Sequence, residues 1–219
     1  MSRLSQSLLN WVFPTANACH LCQRALEGTE NCLCSRCTAA LMECRLPEES
    51  RESLVLSQWL ALSAFQYRDQ ARDLVRLLKY QGDFQAGQML GESMALALVQ
   101  SGLRVELLLP VPMHPVRLRQ RGYNQAEQLA RQVSQRTGIS VHTNGLYREG
   151  SLQTQVHRTR EERLTALKDV FWANEAVVKN RRILLIDDVL TTGATAGACA
   201  KALTDAGAGR VTVLTACRV

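Results

Sequence analysis

From residue 71 to residue 215 the chain switches repeatedly between two apolar rhythms. Ala71, Leu74, Val75 and Leu78 recur at i, i+3, i+4 and i+7, which describes one face of a helix, and Gly82 supplies its stop. Leu90, Met94, Ala97 and Leu98 repeat that spacing. Residues 105–111 are instead a continuous apolar run and predict a strand. Ala126, Leu129, Ala130 and Val133 predict another helix, closed by Gly138. A strand over residues 182–186 feeds a helix on Ala196, Cys199, Ala200 and Leu203, closed by Gly207, before a last strand over residues 211–215. Strands alternating with helices of this length predict an α/β fold, a parallel sheet flanked by helices on both faces. No internal repeat or low-complexity segment interrupts the pattern.

Before Leu54 neither rhythm holds, and six of the eight cysteines fall between Cys19 and Cys44. This predicts a separate small module. Pro47 and the polar residues up to Glu52 read as its linker, so the expected division is residues 1–50 for the module and 51–219 for the larger domain. The chain's 219 residues, 46% of them apolar and 21% charged, suffice for one ordinary core and a small appendage. Its apolar runs are too short to cross a bilayer and no leader pattern opens it, which predicts a cytoplasmic protein. Residues 8–13 are apolar and aromatic but span only about one and a half helical turns, and they receive no functional assignment.

Cys19-x-x-Cys22 and Cys34-x-x-Cys37, separated by eleven residues, present four thiolates in two knuckle-like pairs, the spacing of a tetrahedral structural Zn²⁺ site. A module this small cannot fold on its own apolar core, so the metal would supply the missing free energy. An iron–sulfur cluster and free thiols are the alternatives. Cys32, Cys44 and His20 are further candidate ligands that spacing does not sort. Cys199 and Cys217 fall on a predicted helix and strand and read as small buried hydrophobes.

The charge adds a constraint. A net +6 and a pI near 9.0 come with Arg117, Arg119 and Arg121 in one run and Arg158, Arg160 and Arg163 in another. Both a nucleic-acid backbone and a polyphosphate metabolite ask for that charge. Aromatic residues, at 5%, do not alternate with the arginines as a base-stacking platform would require.

The segment Ile183-Leu184-Leu185-Ile186-Asp187-Asp188-Val189-Leu190-Thr191-Thr192-Gly193-Ala194-Thr195 narrows the ligand. An apolar strand delivers two carboxylates to its carboxyl end, where open parallel sheets bind their ligands. Thr191, Thr192, Gly193, Ala194 and Thr195 then let backbone N–H groups, hydroxyls and a helix start converge on a phosphate, with Gly193 allowing close approach. An adjacent carboxylate pair can hold ribose hydroxyls directly or through Mg²⁺. Together these predict a phosphoribosyl ligand.

This segment resembles the phosphoribosyl-pyrophosphate signature of the type I phosphoribosyltransferases. The block from Leu109 to Gln125, stiffened by Pro110, Pro112 and Pro115, is similar to that of the ComF/GntX proteins, as are Phe65-x-Tyr67 and Leu78-Lys79-Tyr80-x-Gly82-Asp83. That family joins a zinc-finger-like amino terminus to a phosphoribosyltransferase domain. The resemblance implies a phosphoribosyl-pyrophosphate site on Asp187, Asp188 and residues 191–195, with Lys79, Arg117, Arg119 and Arg121 on the anion. Planar guanidinium groups suit a pyrophosphate. Between Tyr147 and Phe171 the family pattern is incomplete, with Arg158 where Leu is usual and Ala166 where Asn is usual, so Gln155 and Arg163 are minor candidates on a segment that reads as a lid.

Two functions follow. One is an enzyme that displaces pyrophosphate with a nitrogen nucleophile, with Asp187 and Asp188 at the reacting sugar and no covalent intermediate. The chain opens Met1-Ser2, which predicts free ammonia or a base as acceptor rather than glutamine. The other, implied by the ComF/GntX resemblance, is a competence-type DNA-handling protein whose pocket senses ligand, with single-stranded DNA or a DNA-uptake helicase as partner.

Overall fold

The computed structural model describes residues 18–55, 59–148 and 170–219. Residues 8–13 and the candidates Gln155, Arg158, Arg160, Arg163 and Ala166 lie outside them. Five strands, β1 (Glu52–Val55), β2 (Trp59–Gln66), β3 (Leu107–Pro110), β6 (Arg182–Leu190) and β7 (Arg210–Arg218), form one sheet in the order β1-β2-β7-β6-β3. The last four run parallel, and β1 closes one edge antiparallel to β2. A two-stranded ribbon, β4 (Leu146–Arg148) with β5 (Phe171–Ala173), stands apart from it.

The sheet is covered on both faces, as the alternation of patterns predicts. Along β6 the two-residue period sends Leu184 and Ile186 to one side and Ile183 and Leu185 to the other. On the first side lie α2 (Asp69–Arg76), α3 (Phe84–Ser101) and α5 (Gln125–Thr137), which bury Leu74, Leu90, Met94, Leu129 and Val133. On the second side α7 (Ala194–Asp205) buries Cys199, Ala200 and Leu203. Truncating any of these fully buried leucines to alanine removes about 2–5 kcal/mol of stability. Helices α3 and α5 approach so closely that a Cβ on Gly91 would lie 2.3 Å from Gln132 Cβ. No helix among the described residues is long and apolar enough to cross a membrane.

Two boundaries differ from expectation. The strand expected over 105–111 is confined to Leu107–Pro110, because Glu106 turns aside to Arg182 and prolines follow. The strand expected to end at residue 186 runs on to Leu190, because Val189 and Leu190 keep pairing with Cys217 and Arg218 of β7. The acidic pair therefore sits inside the paired strand, two residues short of its end.

The helix carrying Leu74 does not run evenly to its glycine. After Arg76 it widens into a π turn, Leu77–Gln81, which Gly82 closes at φ 67°. The cysteine-rich segment packs beside this region. Its helix α1 (Ser35–Glu43) contacts α2, Cys44 accepts the Gln66 N–H at 2.8 Å, and Cys19, Cys34, Leu41 and Cys44 join the apolar cluster of α2 and α3.

Candidate functional site

A cavity of about 410 Å³ opens at the carboxyl ends of β2, β3 and β6. Tyr67 follows β2, Lys79 and Tyr80 come from the π turn, and Val111 to His114 follow β3. Arg117 and Arg121 enter from the short helix α4 (Pro115–Arg121), Arg148 from β4, and Asp187 and Asp188 from β6, with Thr191 and Thr195 beyond. Of the residues proposed from sequence, Lys79, Arg117, Arg121, Asp187, Asp188, Thr191 and Thr195 are thus brought to one wall-lined space. Arg119 does not line it: i and i+4 share a helix face while i+2 lies opposite, so Arg119 is on the exposed side of α4.

The strand period turns the two carboxylates to opposite faces of the sheet. Asp188 is 4% exposed, and its Oδ1 meets Lys79 Nζ at 2.8 Å while its Oδ2 is buried with no hydrogen-bond partner. Asp187 Oδ1 accepts the Asp188 N–H at 2.8 Å. Burial, and next the neighbouring Asp188 charge, push the Asp187 carboxyl up to about 7, against the opposing pull of that N–H and of Lys79. Two enclosed carboxyls, one with an unsatisfied oxygen and one held back from ionising, form a site that gains from a cation or from hydroxyl donors. That donor set fits Mg²⁺ bound together with a sugar phosphate.

Beyond Leu190 the loop turns at Gly193, whose φ of 77° is left-handed, and α7 starts at Ala194. Thr192 Oγ1 accepts the Ala194 N–H at 3.4 Å, and the N-cap residue Gly193 has no side chain to cap the helix. Unpaired N–H groups at the start of a helix of this length attract an anion. Thr192 and Ala194 are exposed on this loop, and Gly193 is buried beneath it.

Sequence reasoning missed Arg148. Its Nε is buried and unpartnered among the described residues, its guanidinium lies 5.2 Å from the Phe171 ring centroid, and burial followed by Arg117 holds its pKa below the usual arginine range. A lone arginine outside any apolar repeat carries no periodic signal in the sequence. His114 and Asn124 were also unassigned. His114 Nδ1 accepts the Val116 N–H at 3.2 Å and Asn124 Nδ2 donates to Val111 O at 3.0 Å, so both shape the turns that carry Arg117 and Arg121. Arg121 is further fixed by Gln125 at 2.5 Å and lies 5.7 Å from the Tyr80 ring centroid.

The four cysteines predicted from spacing converge. The Sγ atoms of Cys19, Cys22, Cys34 and Cys37 all lie within 4.8 Å of one another, and Cys22 and Cys34 are 3.6 Å apart. A tetrahedral zinc with bonds of about 2.3 Å separates its sulfurs by about 3.8 Å, so the cluster can hold a zinc ion. Burial raises the Cys19 thiol, but the N–H groups of Cys22, Cys34 and Leu21 outweigh it and bring the thiol down to about 6. The other candidates stand outside. The Cys44 thiol faces Ala40 O and Arg68 O, Cys32 is buried with its thiol pushed up to about 12 by burial and then by Asp83, and His20 turns to Asp83.

No protein-family model matches the chain. It is 33% identical to competence protein F of Haemophilus influenzae over 150 residues, which are 64% of this chain and 64% of that protein. It is 26% identical to the DNA utilization protein YhgH of Escherichia coli K12 over 224 residues, covering 100% of this chain and 95% of that one. Identity to competence protein ComFC of Streptococcus pneumoniae is 27% over 183 residues, 83% of this chain and 76% of that one. Among solved structures, a glutamine phosphoribosylpyrophosphate amidotransferase from B. subtilis superposes with a TM-score of 0.46 at 22% identity, over 61% of this chain and 26% of that one.

Proposed function

We propose that the chain, which is similar to competence protein F, ComFC and YhgH, is a ComF/GntX-type phosphoribosyl-pyrophosphate-binding protein that transfers phosphoribosyl to a nitrogen acceptor in the use or uptake of DNA. One observation carries the reading. A single cavity at the carboxyl ends of the parallel strands gathers two carboxylates, three arginines, a lysine and a threonine loop at a helix start. A sugar with phosphate at one end and pyrophosphate at the other needs those three chemistries side by side.

In this reading the 5′-phosphate lies on the N–H groups and hydroxyls of residues 191–195, and Asp187 and Asp188 hold the ribose hydroxyls. Arg117, Arg121, Arg148 and Lys79 receive the pyrophosphate. Mg²⁺, held by Asp187 and Asp188, would neutralise charge on the leaving group. The sugar's bond to pyrophosphate oxygen breaks as its bond to nitrogen forms, and the acceptor gives up an N–H proton. Cationic side chains stabilise the departing pyrophosphate in place of a covalent nucleophile. Residues 1–50 serve as the zinc module and residues 51–219 as the phosphoribosyltransferase domain.

Calorimetric titration of phosphoribosyl pyrophosphate with and without Mg²⁺ tests this. Metal-dependent binding is expected, and Asp187→Asn/Asp188→Asn should weaken it at least a hundredfold, since two charge-assisted contacts of about 1.5–3 kcal/mol each are removed. Equal affinity in the double variant refutes the site. A second reading, favoured by the relatives' names and the +6 charge, is a non-catalytic DNA-handling protein that senses the same ligand. It is supported if the ligand binds but no base or ammonia is ribosylated.

A further inference from the structure

One polar contact outside the cavity joins the cysteine knuckle to the ligand site. His20, between Cys19 and Cys22 in the chain, hydrogen-bonds through Nδ1 to Asp83 Oδ2, and both side chains are largely enclosed, at 27% and 15% exposed. The knuckle in turn fixes His20, whose backbone N–H donates to Cys32 O at 2.9 Å. Asp83 uses its other oxygen to cap α3, accepting N–H groups of Gln85 at 3.1 Å and Ala86 at 3.0 Å. Its own N–H donates to Leu77 O at 3.3 Å, across the π turn.

That turn buries Leu78, but its geometry is not one that a helix adopts unaided. A π turn is a rare, locally unfavourable insertion that persists where its surroundings impose it. Here it is clamped from two sides, by the Tyr123 hydroxyl donating to Leu78 O and by Asp83 at its exit. What it presents is Lys79, whose ammonium reaches Asp188 at 2.8 Å inside the cavity. Contacts therefore run from the cysteine knuckle through His20 and Asp83 to the carbonyl of Leu77 in the π turn, and that turn carries Lys79 to Asp188.

We infer that His20 and Asp83 are positioning residues that make the metal module part of the ligand site, holding the π turn so that Lys79 faces the incoming pyrophosphate group. The inference rests on the phosphoribosyl-pyrophosphate reading for its ligand, but the latch itself is a statement about this chain alone. Without it the turn relaxes toward an ordinary helix, Lys79 loses its aim, and the anion loses one of its charge-assisted contacts.

The test compares the full chain with His20→Ala, His20→Asn and Asp83→Ser. Asparagine places its amide nitrogen where Nδ1 was, and serine keeps a capping hydroxyl on α3 but has no oxygen for His20. Magnesium pyrophosphate is titrated calorimetrically, amide hydrogen exchange is followed over residues 77–86, and zinc content and thermal unfolding are measured as controls. With zinc content unchanged, His20→Ala and Asp83→Ser should weaken pyrophosphate binding on the order of tenfold and speed exchange across the turn. His20→Asn should restore most of both. In a Lys79→Met background His20→Ala should cost less than about twofold, because the two act through one group. Parental affinity in His20→Ala and Asp83→Ser, or an equal loss with Lys79→Met already present, overturns the inference. If the parent binds no pyrophosphate ligand, the phosphoribosyl reading fails, and the exchange measurement still decides the latch: unchanged exchange in both variants refutes it.

Discussion

Asp187→Asn should stabilise the ligand-free protein at alkaline pH while removing a contact that the ligand needs. Burial and the adjacent Asp188 raise the Asp187 carboxyl to about 7, well above its ordinary value of 3.8. A carboxyl whose pKa is raised by folding favours the folded state while it is protonated, and that contribution fades as pH climbs from the unfolded value through the folded one. Between pH 4 and pH 8 the folded protein must therefore give up stability to ionise this group. A shift of three pKa units corresponds to about 4 kcal/mol. Water reaching Asp187 through the open cavity, and Lys79 across from it, reduce this to about 2 kcal/mol. Asparagine fills the same space and never ionises. The variant should come close to the parent near pH 4 and exceed it near pH 8 by about 4–8 °C in melting temperature, given about 2–4 °C per kcal/mol for a chain of this size. Thermal unfolding at both pH values in chelator-treated, magnesium-free buffer measures it. A variant equally or less stable than the parent at pH 8, or a pH dependence identical to the parent's, refutes the assignment of strain to this carboxyl.

The remaining expectations concern other parts of the molecule. Elemental analysis should find about one zinc per chain, lost in Cys19→Ser/Cys34→Ser; iron in its place, or zinc retained in full, sinks the assignment. Single-stranded DNA should bind weakly and without sequence preference, with affinity that falls steeply from low to physiological salt as counterions are released, and salt-independent binding would remove the basis for a backbone contact. Gly91→Ala should destabilise by about 1–3 kcal/mol in denaturant titration, because its Cβ would stand 2.3 Å from Gln132 Cβ; an unchanged midpoint would mean α3 and α5 can part freely.

The sequence by itself determined whatever depends on neighbours along the chain. Helical faces such as Leu74 with Leu78 and Leu129 with Val133 were legible because apolar spacing reports a helix without reference to its partner, and Gly82 and Gly138 marked ends because each takes a left-handed turn. The acidic pair and the threonine loop were legible for the same reason, since all their chemistry lies within nine consecutive residues. The four thiolates were legible as two local pairs. Tertiary structure decided everything that joins distant segments. Strand β2 escaped notice because Leu62, Ala64 and Phe65 are buried on a two-sided strand with no period to betray it, and β1 was unread with it. The strand order, the extension of β6 beyond Asp188 and the place of Arg148 depend on pairing across the sheet. Spacing could not sort Cys32, Cys44 and His20 from the thiolate set, because their surroundings are set by tertiary contacts: Asp83 took His20, and the Arg68 carbonyl, beside that of Ala40, faced Cys44. Lys79 met Asp188 only because a π turn on one segment and a strand more than a hundred residues later share one cavity, and no local pattern encodes that meeting.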